Sequence, residues 1–433
     1  MRHVIVIGGG AAGMMAAIGA ADTGAAVTLL EKNEKLGKKI YITGKGRCNL
    51  TNACDTPEFA EHVVSNPRFF LSALSGFDNR RTIEWFESAG MPTKTERGAR
   101  VFPVSDKSSD VIKTLERECR RRGIKVMLNT EVKSLLTVGE TSDETAQTSE
   151  KKKKKLQYLS RVTGAALSDG TKLTADAVIV ATGGLSYPTT GSTGDGYRMA
   201  RECGHSVTRL TPSLVSLVSG DGCCAELAGL TLKNVGVIFR GKEGKILRED
   251  FGELLFTHRG ISGPTVLTAT AMCGDDLIGG SAEIDLKPGL GDEQLDARLV
   301  RDLEAGHAKA MGNVIGALVP AALGAEILRR SGISQAKRAG DVSREERRAL
   351  ALALRRFTVG ITGMGGYNEA VVTKGGIQAK EINPSTMESR LVRRLYFAGE
   401  VLDLDATTGG FNLQIAWSTG MLAGRSAAAE DAK

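Results

Sequence analysis

RHVIVIGGGAAGMMAAIGAADTGAAVTLLE, residues 2–31, is the stretch whose reading decides the fold. Val4, Ile5, Val6 and Ile7 are apolar and β-branched without interruption, the mark of a strand buried on both faces of a parallel sheet. Gly8, Gly10 and Gly13 follow at G-x-G-x-x-G spacing and lead into a small-residue helix over 11–23. Gly24 ends it, and a second strand over 26–30 closes on Glu31. This is one complete βαβ unit. Gly8 makes the tight strand-to-helix turn, Gly10 leaves the backbone open to a close approach, and Gly13 lets the helix lie against the sheet.

Such a unit turns free N–H groups at the positive end of its helix toward whatever sits above the sheet, and a diphosphate suits that place. Glu31 stands 31 − 13 = 18 residues past Gly13, near the ~20 expected of a carboxylate that accepts from ribose hydroxyls. An extra phosphate on that ribose would be repelled. The apolar run over 4–21 approaches the ~20 residues of a membrane span, but its glycines interrupt it and Asp22 ends it. It has no basic leader beyond Arg2 and no cleavage pattern, so a cytoplasmic protein that meets no membrane is expected.

With 433 residues, 41% hydrophobic and 25% charged, the chain has ordinary globular composition and room for two or three domains. A net charge of +7 invites a nucleic-acid partner. Much of that excess is the run Lys151 to Lys155 behind the polar stretch GETSDETAQTSE (139–150), which reads as a solvated hairpin tip. No nucleic-acid partner is therefore expected. Seven cysteines are scattered without a C-x-x-C, so reduced thiols are expected. Five histidines lie too far apart for a zinc site, and no metal is expected.

After Glu31, residues 32–52 (KNEKLGKKIYITGKGRCNLTN) fit no helix or strand period and carry five lysines and three glycines. A polar loop leaving the ribose acid is placed to run along an extended dinucleotide, with Arg47 and Asn49 meeting phosphate or ring oxygens. Lys39, Gly44, Gly46, Arg47, Cys48, Asn49, Thr51 and Asn52 match K-x-x-x-[ST]-G-x-G-R-C-N-x-T-N. This stretch resembles the signature of the BaiN/YhiN-type FAD-dependent oxidoreductases, a bacterial family that includes aminoacetone oxidase-like flavoproteins. The resemblance implies that the loop, with Lys32 before it, lines a non-covalently bound FAD. Cys48 has no partner cysteine at motif spacing and reads as a packing or polar residue.

Further along, helices are expected on either side of a turn at 76–79, over 105–122 with Ser108 or Ser109 as cap, and strands over 100–104 and 124–128. A hairpin of 156–163 with 171–173 is expected beside the lysine run. By the resemblance to glutathione-reductase-like FAD folds, Val132 holds the adenine through its backbone. DAVIVATGG (176–184) is a buried strand ending in small residues, and Ala181, Thr182 and Gly183 form the recurring second fingerprint of those folds, where larger side chains would collide with the pyrophosphate. Gly191, Gly194 and Gly196 do not repeat the first fingerprint, so any NAD(P)H would dock transiently as electron donor.

Residues 212–256 alternate apolar and polar in short runs, as antiparallel strands do. They lead to ELLFTHRGISGP, where His258, with Arg259 and Ser262, is the candidate proton donor or anion contact. Residues 292–354 carry helical spacing throughout. Near the C-terminus, LYFAGEVLDLDATTGGFNLQ (395–414) gives a last strand, the strand-end residues Gly399 and Glu400, then Asp403, and a helix opening at Gly409, Gly410 and Phe411. By the resemblance, the acid meets the ribityl chain, while Asn412 and Leu413 belong to the helix start that faces the flavin together with Ala11, Ala12 and the first glycines. A positive helix end there stabilises charge on the reduced ring.

The expected architecture is α/β: a discontinuous, Rossmann-like, glutathione-reductase-like FAD-binding domain over 1–192 and 372–433. An inserted β-rich substrate or cap domain is expected over 193–288 and 355–371, with a small helical subdomain over 289–354. The expected activity is hydride transfer through flavin N5 between a small organic substrate and NAD(P)H or oxygen. An amine or aminoacetone oxidase and an FAD-dependent RNA-modifying protein are the alternatives. Oligomeric state is not legible.

Overall fold

The computed structural model describes residues 1–139 and 158–430. The lysine run and the hairpin tip expected around it lie outside the described residues. The chain forms two compact units, 1–212 with 370–433, and 213–369.

In the first unit a five-stranded parallel sheet runs in the order Leu395–Phe397, Ala177–Val180, His3–Ile7, Ala26–Leu30, Lys125–Met127. Its middle strand has partners on both edges and both faces covered, and Val4, Ile5 and Val6 are fully buried, as uninterrupted β-branched runs require. The opening helix Ala11–Asp22 buries every residue from Ala12 to Ala20. It can do so because its side chains are small enough for a second helix, Phe411–Ala428, to pack backbone against backbone. A Cβ at Gly420 would overlap the carbonyl oxygen of Ala12, and one at Gly424 that of Ala16. The register advances in the same sense along both helices, so both positive ends point the same way.

The loop expected to be structureless over 32–52 contains a short helix Lys38–Ile42, a tight turn Thr43–Gly46 and a strand Thr51–Asn52 paired with Arg100–Pro103. Five-residue and two-residue elements are too short to leave a period in the sequence. The helix expected over 105–122 spans Ser108–Arg121, and neither serine caps it: Lys107 is the cap residue, and the Ser108 hydroxyl donates to the Tyr41 carbonyl, 2.8 Å. Ser160–Leu167 pairs with Val132–Gly139 as well as with Lys172–Thr174. The hairpin that brackets the undescribed segment is therefore made with the strand before it.

In the second unit a seven-stranded antiparallel sheet takes the order Phe357–Gly360, Ser281–Asp285, Thr231–Arg240, Ile246–Thr257, Gly260–Ser262, Leu217–Val218, Gly363–Met364. Where the alternation over 212–256 reads as short runs only, Ile246–Thr257 is one strand of 12 residues. The helices Asp292–Ala305, Ala321–Arg330 and Arg344–Arg355 bury Leu299, Ile327 and Leu354 in one core with Phe239, Ile284 and Phe357 of the sheet. Sheet and helices thus share a single core, and the unit's edges fall at 212/213 and 369/370 rather than at 192/193 and 371/372. Among the described residues no single helix is long and apolar enough to cross a membrane.

Candidate flavin-binding site

Four parallel strands end at the same edge of the first unit's sheet, and within two residues of each end stands a residue singled out from sequence. His3–Ile7 ends at Gly8, Ala26–Leu30 at Glu31, Ala177–Val180 at Ala181, and Leu395–Phe397 just before Gly399 and Glu400. Ligands of open α/β sheets bind at this edge.

The glycines divide by what surrounds them. A Cβ on Gly8 would come within 2.5 Å of the Ala181 carbonyl oxygen, and one on Gly13 would overlap that of Gly8, so both are demanded by the protein's own packing. Gly10 is different: a Cβ there meets nothing within 4 Å. Among the described residues nothing requires glycine at that position, so the clearance fits a cradle for another molecule's phosphates. The opening helix has no side-chain cap and no acidic residue in its first turn, leaving its first N–H groups for an anion. Glu31 is buried, its Oε2 accepting from the Gly9 amide at 2.7 Å and its Oε1 from the amide and side chain of Asn33 at 2.8 and 2.6 Å. Those donors fix the carboxylate at the strand end, beside the helix that holds Gly10, Ala11 and Ala12.

The turn after Lys39 holds Gly44, Lys45, Gly46 and Cys48 at φ of 56°, 56°, 84° and 59°. Two of these are not glycine, and such a conformation persists only where its surroundings impose it. Part of that support is an ion cluster. Arg47 pairs with Glu96 and Asp106 at 2.5 Å each and lies over the Phe102 ring, while Lys94 pairs with Asp106 at 2.6 Å. The Arg47 guanidinium expected to meet phosphate is thus neutralised within the protein. Asn49 Oδ1 is buried with no hydrogen-bond partner among the described residues, as is Thr182 Oγ1. Both belong to the motifs at this edge, and an orphaned buried acceptor suits a ligand donor. The Cys48 thiol is fully buried, and that burial pushes it up to about 12.

The second motif, at the C-terminal end, is stitched to this turn. Asn52 donates to the Gly409 carbonyl at 3.1 Å, Thr51 to Gln414 at 2.7 Å, and the Trp417 indole to the Leu50 carbonyl at 2.9 Å. Gly410, at φ 102°, lies so close to Thr51 that a Cβ would strike its backbone. Asn412 clamps the preceding loop through Ala406 and Thr407. Phe411 is buried, stacked on His62 at 4.1 Å, and Leu413 packs at the core edge. The closing helix also starts without a side-chain cap.

Lys32 is held by Thr193 and Asp195, each at 2.6 Å. Lys39 reaches Glu400 at 2.7 Å. Burial pushes the Asp403 carboxyl up, offset in part by hydrogen bonds from Asn66 and Thr208. Val132 is buried at the start of its strand. His258 lies in the other unit, exposed on the turn after Ile246–Thr257. Sequence reading passed over Ser186, Thr373 and His62. Ser186 lies two residues past the A-T-G-G fingerprint and Thr373 in an unremarkable VVTKGG, so only tertiary contact reveals them.

The HI0933-like protein Rossmann domain family matches residues 2–426. A 3-dehydro-bile acid delta(4,6)-reductase from Clostridium scindens is 34% identical over 99% of each chain. A ribosomal RNA dihydrouridine synthase from Haemophilus influenzae is 32% identical over 96% of each. Among solved structures, a 3-ketosteroid delta4-(5alpha)-dehydrogenase from Rhodococcus jostii RHA1 in complex with 4-androstene-3,17-dione aligns with a TM-score of 0.54 at 16% identity, over 99% of this chain and 97% of that one. At that identity the likeness is one of fold.

Proposed function

Since the chain belongs to the HI0933-like family of FAD-dependent oxidoreductases, we propose that it is a reductase adding two hydrogens across a carbon–carbon double bond conjugated to a carbonyl. The names of the two full-length relatives share that chemistry. A 3-dehydro delta(4,6) bile acid carries double bonds in line with its 3-oxo group, and uridine carries one beside a ring carbonyl. The observation that carries the reading is this full-length similarity to a reductase, on a chain whose sheet edge offers the diphosphate cradle at Gly10.

FAD, when bound, supplies hydride through its N5 atom. The chain's own part is to hold and polarise. The uncapped N-termini of the opening and closing helices offer N–H groups to anionic oxygens. Glu31, fixed by Gly9 and Asn33, accepts from ribose hydroxyls. Gly10 admits the diphosphate. Binding is non-covalent in this reading, with NAD(P)H docking transiently as donor.

The first reading of the substrate is a small enone of steroid type. The second is uridine in ribosomal RNA, favoured by the relative of that name and by the net charge of +7. The test is anaerobic reduction of the FAD-loaded protein by NADH and NADPH, followed by a 3-oxo-delta(4,6) steroid or a ribosomal RNA transcript, with product read by mass. A gain of two hydrogens on the steroid is expected. The same gain on RNA alone would select the second reading. Anaerobic reduction of the flavin by aminoacetone, with oxygen consumed once air is admitted and neither acceptor reduced, would replace both with an oxidase.

A further inference from the structure

Glu400 stands in an electrostatically awkward place. Its neighbour Gly399 touches the opening helix so closely that a Cβ would lie 2.6 Å from that of Ala12, which sets a carboxylate beside the helix end offered to a diphosphate. The protein surrounds that carboxylate with donors from three other chain segments. Lys39 Nζ lies 2.7 Å from Oε2, the Ser186 hydroxyl donates to Oε1 at 2.8 Å, and the Thr373 amide donates to Oε1 at 2.8 Å. Lys39 also donates to the Ser186 oxygen. Thr373 Oγ1 in turn accepts from the amides of Leu185 and Ser186, at 2.8 and 3.1 Å, pinning the turn that presents the serine. Gly184 leaves room for this: a Cβ there would overlap Thr373 Oγ1 and approach Glu400 Oε1 within 2.8 Å. Ser186 and Thr373 are wholly buried.

Resting on the flavin reading alone and not on the substrate, we propose that Ser186 and Thr373 are positioning residues that set the flavin's reduction potential through the Lys39–Glu400 pair. Reduction places negative charge on the ring, and a strand-end acid that meets the ribityl chain carrying that ring would stand close enough for the equilibrium to respond to its charge. The pair as built is neutral. Removing the carboxylate leaves a cation, and removing the cation leaves an anion. Removing the Ser186 hydroxyl takes a donor from Glu400, and removing the Thr373 hydroxyl frees the turn that presents that donor, so either change leaves Glu400 less well compensated.

The experiment is spectroelectrochemical titration of the FAD-loaded full chain without substrate. Glu400→Gln is expected to shift the oxidised–reduced equilibrium about tenfold toward reduced flavin, about 30 mV upward for a two-electron couple. Lys39→Met is expected to shift it about tenfold the other way. Ser186→Ala and Thr373→Val should shift it downward by less, and Thr373→Ser should restore the wild-type value. A merely structural cluster would not give opposite signs for the two charges. If Glu400→Gln and Lys39→Met hold flavin but move the potential in one direction, or leave it unchanged, the proposal is overturned. Where either loses flavin, the comparison of Thr373→Val with Thr373→Ser decides, and identical potentials overturn it. A wild-type protein that refuses FAD altogether would instead sink the flavin reading.

Discussion

The indole of Trp417 donates to the carbonyl oxygen of Leu50 at 2.9 Å across 367 positions of sequence, and both residues are fully buried. With Thr51–Gln414 and Asn52–Gly409 it shows what the two motifs far apart in the chain accomplish together. Each holds the other's backbone at the sheet edge. Replacing Trp417 by Phe keeps an aromatic ring but leaves the Leu50 carbonyl without its donor, at a cost of about 1–3 kcal/mol. Urea denaturation of the apoprotein should show the lowered midpoint, with an unchanged slope. An unaltered midpoint would mean that the indole only fills space.

The glycines of the opening turn predict two different failures. Gly13→Ala puts a methyl group into the Gly8 carbonyl, so it should destabilise the apoprotein by several kcal/mol, as overpacking of a rigid turn does. Gly10→Ala meets no protein atom and sits at an extended N-cap backbone that alanine adopts, so the apoprotein should melt within about 3 °C of wild type. The same variant should bind FAD at least tenfold more weakly in a fluorescence-quenching titration, because the methyl group lies where the diphosphate would approach. Equal losses of stability and affinity in both variants would refute the division.

What the sequence made legible follows from period and size. The opening βαβ unit could be read residue by residue, because a buried parallel strand, a glycine turn and a small-residue helix follow one another there in a combination that other units do not write. The closing helix was legible at its start for the same reason, through Gly409 and Gly410. What stayed hidden is what only tertiary contact makes. The donors around Glu400 come from Lys39, Ser186 and Thr373, 361, 214 and 27 residues away, and no local spacing announces such a meeting. The partners of Arg47 were hidden for a related reason: a cation in a loop expected to run along a dinucleotide looks free until Glu96 and Asp106 arrive from a neighbouring segment. The helices over 292–354 read as a separate subdomain because their apolar faces are plain in sequence, whereas the sheet they cover is not.

The Arg47 cluster makes an acid-limb prediction. Hydrogen bonds from Lys94 and Arg47 hold the Asp106 carboxyl below its ordinary 3.8, and Arg47 holds Glu96 below 4.5. A carboxyl whose folded value is depressed adds stability that is present above its unfolded value and is lost as pH falls through the folded one. Native stability should therefore decline below about pH 4 in part through these two groups, and high salt should weaken the effect because the cluster is only half-buried. Asp106→Asn should lower stability at pH 7 slightly and flatten the acid limb. Thermal melts from pH 3 to 7 test it, and an acid limb of unchanged steepness would count against the cluster.

The buried thiols give the opposite pH sign. Burial pushes Cys48 from 9.0 up to about 12, and Cys119 and Cys224 likewise, with Cys54 and Cys203 up to about 11. A group whose folded value is raised adds stability that is fully present below its unfolded value, here 9.0, and is lost as pH climbs toward the folded one. Stability should fall between pH 9 and 12. Only the thiolate attacks, and at pH 8 a thiol near 12 is ionised about once in ten thousand molecules. Native Cys48 should therefore react with a disulfide reagent at least a hundredfold more slowly than in urea. Cys48→Ala should still take up flavin and be reduced by the same donor as wild type, since a protonated thiol with no partner cysteine has no redox part to play. Rapid native labelling at Cys48, mapped by peptide mass, would mean that the turn opens in solution and that its left-handed backbone is not held as the Arg47 cluster requires.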